Sequence, residues 1–194
     1  MKVYYSLNNF KKLDKAVVTI GTFDGLHLGH QKILTGLRES AANIEGETVV
    51  LTFFPHPRMV LQPNADLKLL NTLEEKISLF QTFNIDHLII HPFSVEFSEL
   101  SSSEFIKKIR VDIIGVKKLI IGYDHHVGKN REGSFEQLKQ SAPLYKFDIE
   151  EISKQDIENI AVSSTKIRNA IIKGDINIAN KFLGYSYFIT GKVV

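Results

Sequence analysis

Two histidines, His27 and His30, close the segment Gly21-Thr22-Phe23-Asp24-Gly25-Leu26-His27-Leu28-Gly29-His30. Before it, Ala16-Val17-Val18-Thr19-Ile20 is apolar and β-branched and reads as a buried strand. After it, Ile33, Leu34 and Leu37 recur at helical spacing, which predicts a helix over 29–43. The imidazoles therefore flank a glycine where a strand turns into a helix. A helix N-terminus has unpaired N–H groups and partial positive charge, so it attracts anions. Gly29 lets backbone approach a ligand, and the two rings add donors. Such a device holds phosphate, which directs attention to nucleotides. By itself His-x-x-His also fits a surface or metal-binding pair. The preceding strand and the three glycines favour phosphate.

A second candidate is Ser163-Ser164-Thr165 with Arg168. Hydroxyls at a helix start cap it and offer donors, and an arginine one turn in adds a charge-assisted contact. A third is Thr52-Phe53-Phe54-Pro55-His56-Pro57-Arg58, where two prolines stiffen a loop beyond a strand. Such a loop can wall a planar ligand and aims His56 and Arg58 outward. A fourth is the glycine-punctuated loop 122–133, containing Asp124, His125 and His126. His87 and His91 are four apart, but their segment reads as a strand. There they stand roughly 13 Å apart, too far for one ion.

These residues need a scaffold, and the pattern supplies one. Strands are predicted at 16–21, 47–54, 86–91, 117–122 and 144–149. Helices are predicted at 29–43, 72–83, 102–114, 134–141, 164–173 and 176–182. Thr72 with Glu75, Ser101 with Glu104, and Ser134 with Gln137 form capping-box patterns, and Gly115 and Gly174 suit C-caps. Near-continuous apolar strands such as Leu119-Ile120-Ile121 imply a sheet covered on both faces. The expected fold is α/β, a Rossmann-like doubly wound parallel sheet, with ligands beyond the carboxyl ends of its strands.

Composition narrows the class. The 194 residues carry a net charge of +2, from 24 basic and 22 acidic side chains. That balance gives no electrostatic case for nucleic acid or an anionic membrane. Cysteine is absent, which excludes disulfides and thiolate chemistry. No apolar run approaches the ~20 residues of a membrane span, and the N-terminus has no signal core. The expectation is a cytoplasmic protein.

The first segment resembles the His-x-Gly-His signature of the nucleotidyltransferase superfamily. Its fuller form, Gly-Thr-Phe-Asp-Gly-x-His-x-Gly-His, resembles the FAD synthetase branch, the FMN adenylyltransferase module of bacterial bifunctional riboflavin kinase/FMN adenylyltransferases. Ser163 to Arg168 is similar to the superfamily's Ser-Ser-Thr-x-Ile-Arg motif, and Thr52 to Pro57 resembles the family's Thr-Phe-x-Pro-His-Pro element. The loop at Asp124 resembles the flavin loop, but His125, His126 and Val127 stand where aromatic phenylalanines are common. The stretch Phe93, Phe97, Leu100, Ser101 also matches a family pattern, and reads as packing.

The resemblance implies FMN + ATP → FAD + pyrophosphate, with Mg²⁺ carried on the ATP phosphates and no protein metal ligands. It implies that His27, His30 and Arg168 act in catalysis. Gly21, Thr22, Phe23, Asp24, Gly29, Ser163, Ser164 and Thr165 would bind ATP, and Pro55, His56, Pro57, Asp124 and His125 would bind FMN. It divides the chain into an adenylyltransferase domain over 1–183 and, over 184–194, the opening of a riboflavin kinase β-barrel, the rest of that partner domain being absent. Three alternatives stay open: another phosphorylated acceptor, a flavin- or nucleotide-binding module without turnover, and an assembly domain for the kinase half.

Overall fold

The strand β2 (Ala16–Ile20) is buried along its whole length and forms the axis of the sheet. In the computed structural model, which describes residues 1–122, 128, 135–152 and 162–193, it pairs with β3 (Glu47–Phe53) on one side and β5 (Val116–Gly122) on the other. The strands β1 (Lys2–Tyr4), β4 (His87–His91) and β6 (Asp148–Ile152) complete a six-stranded sheet. The order is β1-β4-β3-β2-β5-β6, and every pairing is parallel. From β2 the chain moves outward through β3 to β4, then crosses to β5 and β6. The direction of winding thus reverses between β2 and β5, where a doubly wound sheet opens its ligand crevice.

Helices cover both faces. They are α1 (Leu28–Asn43), α2 (Pro57–Leu61), α3 (Leu73–Thr82), α4 (Val95–Ser98), α5 (Ser102–Glu104), α6 (Phe135–Tyr145), α7 (Ser164–Ile172) and α8 (Ile176–Leu183). Leu7–Asn9 forms a 3₁₀ turn, and α5 runs on into a π-wound stretch, Phe105–Ile114. Alternate strand residues face opposite cores. Ala16, Val18 and Ile20 join Leu119, Ile121, Ile106 and Leu138 on one side. Val17, Val50 and Ile120 meet Leu34 and Leu37 of α1 and Phe80 of α3 on the other. Each such fully buried aliphatic chain contributes about 1.5–3 kcal/mol. A third, smaller cluster seals α7 and α8 against Leu70.

The predicted caps form at Thr72 with Glu75 and at Ser101 with Glu104. At Gly174 (φ 84°) the Gly174 and Asp175 amides donate to the Ile171 and Ala170 carbonyls, a Schellman close of α7. Ser134 lies outside the described residues. The last strand differs from the expectation. In place of a strand at 144–149, α6 continues through Pro143 to Tyr145, and β6 begins at Asp148. Leu138 and Ala142 lie buried one helical turn apart, so the helix face keeps its register to that point. β1 was not expected, because three residues of mixed polarity carry no periodicity. The apolar end of the chain was expected to be a strand. Residues 184–193 instead form neither strand nor helix; Tyr185, Tyr187 and Thr190 bond back to Gly25, Asn180 and Glu75, and most of the others are exposed. His87 and His91 are strand residues with structural partners. The His87 ring contacts the Glu47 carboxylate and Tyr4 hydroxyl, and His91 Nδ1 accepts the Leu7 amide.

Candidate active site

The segment leaving β2 is held in an unusual conformation. Phe23 (φ 48°) and Leu26 (φ 35°) are both left-handed, and Gly25 (φ 85°) sits between them. Both apolar side chains are fully buried, so packing enforces a backbone that L-residues avoid. A Cβ on Gly25 would lie 2.5 Å from Leu70 Cδ1 on a left-handed backbone, so the position favours glycine. The turn delivers His27 to the N-cap of α1, where its Nδ1 accepts the His30 amide at 3.4 Å. An accepting Nδ1 places the proton on Nε2, which leaves that edge as the donor. His27 and His30 stack with centroids 3.6 Å apart, and Phe23 packs edge-on to His30 at 5.1 Å.

Burial holds both imidazoles neutral. It lowers His27 to about 4, against a smaller opposing pull from Asp24. It lowers His30 well below the ordinary range, and His27 and Lys76 add to the effect. The two rings are thus neutral hydrogen-bonding groups rather than standing cations. His30 Nδ1 is buried with no partner among the described residues.

Asp24 is 1 % exposed and both its oxygens are engaged. Oδ1 accepts the Leu70 amide at 3.0 Å, and Oδ2 accepts Arg168 Nη2 at 2.8 Å. Ser164 Oγ donates to the Asp24 carbonyl at 2.9 Å. Ser163 caps α7 by accepting the Lys166 amide, and Thr165 stands exposed beside Arg168. The N-termini of α1 and α7, far apart in sequence, therefore converge on one turn at the end of β2. Two helix N-termini, two imidazoles, hydroxyls and a guanidinium make a site for a polyanion. Arg168 Nε is buried and has no hydrogen-bond partner among the described residues.

His56 lies next to this cluster. It caps α2, its Nδ1 accepting the Arg58 amide at 3.1 Å, with Pro57 at the first helical position. What read as a stiff loop is thus a short helix. Burial lowers the His56 pKa; Asp24 opposes this, while Lys76, Arg168 and Arg58 add to it. Pro55 follows a cis Phe54–Pro55 bond and is exposed. Asp124 and His125, with His126 and Val127, lie outside the described residues. Phe93, Phe97 and Phe105, expected as packing, do pack together, joined by Phe53, with ring contacts of 5.5–5.9 Å.

Three residues of this site were not foreseen. Lys76, only 5 % exposed, donates from Nζ to the Thr22 carbonyl at 2.9 Å. A signal existed, since Lys76, Leu79 and Phe80 share one helical face and the other two are core residues. Gln31 Nε2 donates to the Leu26 and Leu183 carbonyls, and the Tyr185 hydroxyl donates to the Gly25 carbonyl at 2.7 Å. The Gln31–Leu183 and Tyr185–Gly25 contacts span more than 150 residues of sequence and carry no local signature. Among the described residues, no group of three His, Cys, Asp or Glu is placed to hold a metal ion.

Comparison with known proteins fits this geometry. The family model described as FAD synthetase matches residues 9–166. The chain is 37% identical over 196 residues to a bifunctional riboflavin kinase/FMN adenylyltransferase of Buchnera aphidicola subsp. Schizaphis graminum, covering all of this chain and 63% of that protein. A Listeria monocytogenes protein of the same name is 35% identical, covering 92% of this chain and 56% of its own length. The Escherichia coli K12 protein of that name is 30% identical, covering 100% and 63%. The chain thus spans about three-fifths of these relatives. A solved structure titled as a macrolide-efflux protein from Streptococcus pneumoniae shares the fold at TM-score 0.81 and 24% identity, over 95% of this chain and 60% of that one.

Proposed function

The chain belongs to the FAD synthetase family, and from that premise we propose that it transfers the adenylyl group of ATP to FMN, giving FAD and pyrophosphate. The observation that carries this reading is the meeting of two helix N-termini on the strained turn after β2, with His27, His30 and Arg168 around it.

An FMN phosphate oxygen attacks the α-phosphorus of ATP, the α–β phosphoanhydride bond breaks, and pyrophosphate leaves. No covalent enzyme intermediate is needed, so catalysis is positioning and stabilisation of phosphate charge. His30 takes the α-phosphate, with His27 Nε2–H and the first amides of α1 beside it. Ser163, Ser164, Thr165 and Arg168 take the β- and γ-phosphates and the departing pyrophosphate. Gly21, Thr22, Phe23 and Gly29 shape the floor. Asp24 is bonded to Leu70 and Arg168, so its part is to hold the turn and aim the guanidinium.

Among the described residues the carboxylate of this cluster, Asp24, is spent on those bonds, and the remaining groups are imidazoles, hydroxyls and a guanidinium. That set does not suit a protein-ligated hard cation, so Mg²⁺ enters on the phosphates of its substrate. FMN binding is assigned to Pro55, His56 and Pro57, with Asp124 and His125. The coupling of His56 to Asp24, Lys76 and Arg168 supports its place at the border of the nucleotide pocket. A kinase domain following residue 183 belongs to the same proposal. Its support is the bifunctional name and greater length of the relatives.

The test is the purified chain with FMN, ATP and Mg²⁺, with FAD and pyrophosphate followed by chromatography. Equal amounts of both products, lost in His30→Ala, support the reading. Binding of FMN and ATP without product makes this a binding module. Turnover only with another phosphorylated acceptor moves it to a sister activity.

A further inference from the structure

The buried ammonium of Lys76 has no role in the reaction as set out above. Its Nζ donates to the Thr22 carbonyl, its one acceptor among the described residues, and Thr52 Oγ1 donates to the same carbonyl at 3.2 Å. Burying a lysine against a neutral carbonyl is costly unless its charge is used. Asp24 on the turn, His30 on α1 and His56 at the cap of α2 lie within electrostatic reach of it, and Arg168 of α7 and Arg58 of α2 act on the same His56. On its own helix, Glu75 is turned away, its carboxylate accepting the Thr72 and Thr190 amides. Asp24 is already ion-paired to Arg168. Lys76 and Arg168 therefore share the Asp24 carboxylate, and with Arg58 also acting on His56 the cluster is net cationic among the described residues.

We propose that Lys76 is a positioning residue of this site: its ammonium fixes the Thr22 carbonyl, and with it the strained turn, while its charge adds to the positive charge of the pocket where a triphosphate lies. The inference rests on the nucleotide reading for the identity of the anion, but not for the geometry. Lys76 acts in two ways. As a donor, it ties the turn to α3, so that Asp24, Gly25 and His27 keep their places. As a charge, it opposes protonation of His30 and His56, which leaves their ring nitrogens free to pair with a ligand as neutral groups. An arriving anion offsets this positive charge, so substrate binding and charge balance occur together.

Three variants separate these effects. Lys76→Gln keeps a donor and loses the charge, Lys76→Arg keeps the charge, and Lys76→Met loses both. In the ligand-free chain, histidine side-chain NMR across pH should show the His30 and His56 midpoints higher in Lys76→Gln than in the parent, and unchanged in Lys76→Arg. Calorimetry with inorganic tripolyphosphate should show about tenfold weaker binding for Lys76→Gln and near-parental binding for Lys76→Arg. Lys76→Met should lose at least as much as Lys76→Gln. Parental midpoints and parental tripolyphosphate affinity in Lys76→Gln overturn the proposal. So does a Lys76→Gln chain that fails to fold while Lys76→Arg folds, because the ammonium then serves the fold alone. A parent chain that binds neither tripolyphosphate nor ATP removes the nucleotide reading, and the histidine midpoints still decide whether Lys76 controls the imidazoles.

Discussion

His27 shows how one side chain can serve both fold and site. It caps α1 only while Nδ1 is unprotonated, and burial enforces that state by lowering its pKa to about 4. The unfolded imidazole titrates near the usual 6.5. Between these values the unfolded chain binds a proton that the native chain excludes, so stability is full above pH 6.5 and falls as pH drops toward 4. The contribution is about 3 kcal/mol at most. Urea unfolding from pH 7 to 4 should show this loss, steepened by His30 and His56, which shift in the same direction. His27→Gln should flatten it. Arg168 behaves differently. Removing its guanidinium leaves the Asp24 carboxylate buried with one partner fewer, so Arg168→Ala should cost about 3–5 kcal/mol of stability as well as a 10²–10³ loss of turnover. Unfolding and initial rates of the same preparation would separate the two losses.

At the scale of elements, the turn after β2 is built by contacts from four directions: Leu70, Lys76, Ser164 and Tyr185. Gly25→Ala would place a methyl group against Leu70 in a left-handed backbone, and should destabilise by about 1–3 kcal/mol. Tyr185→Phe removes the hydroxyl bond to the Gly25 carbonyl. It should cost about 1 kcal/mol and weaken ATP binding while sparing FMN. Equal effects on the two ligands would show that the segment after α8 does not act through the nucleotide turn. That segment also bonds Thr190 to Glu75 of the α3 capping box, so α3, α8 and the turn are tied together at one corner.

For the whole molecule, ligand binding and folding are linked. A nucleotide held by α1, α7 and the turn bridges elements from both halves of the sequence, so ATP should stabilise the native state globally. At 100-fold excess over its dissociation constant the gain is about 2.7 kcal/mol. Thermal melts with and without MgATP should show the shift in the parent chain and its loss in Arg168→Ala. Among the described residues no helix is long and apolar enough to cross a membrane.

Local sequence determined much of this. The apolar runs at Val17-Val18, Leu88-Ile89-Ile90 and Leu119-Ile120-Ile121 required a sheet buried on both faces, and glycines with capping residues marked where helices start and stop. His27, His30 and the Ser163 to Arg168 motif were legible because each sits within ten residues of a strand–helix junction or a cap. Boundaries that depend on a partner were not. β1 exists only because β4 offers an edge, and β6 begins after α6 has completed its packing. The tertiary structure alone decided that Arg168 meets Asp24 across 144 residues, that Lys76 is buried against Thr22, and that Tyr185 closes over Gly25. Periodicity and capping are properties of neighbours in sequence. A buried ion pair or a clamped carbonyl depends on desolvation, which no residue experiences until distant elements have packed around it.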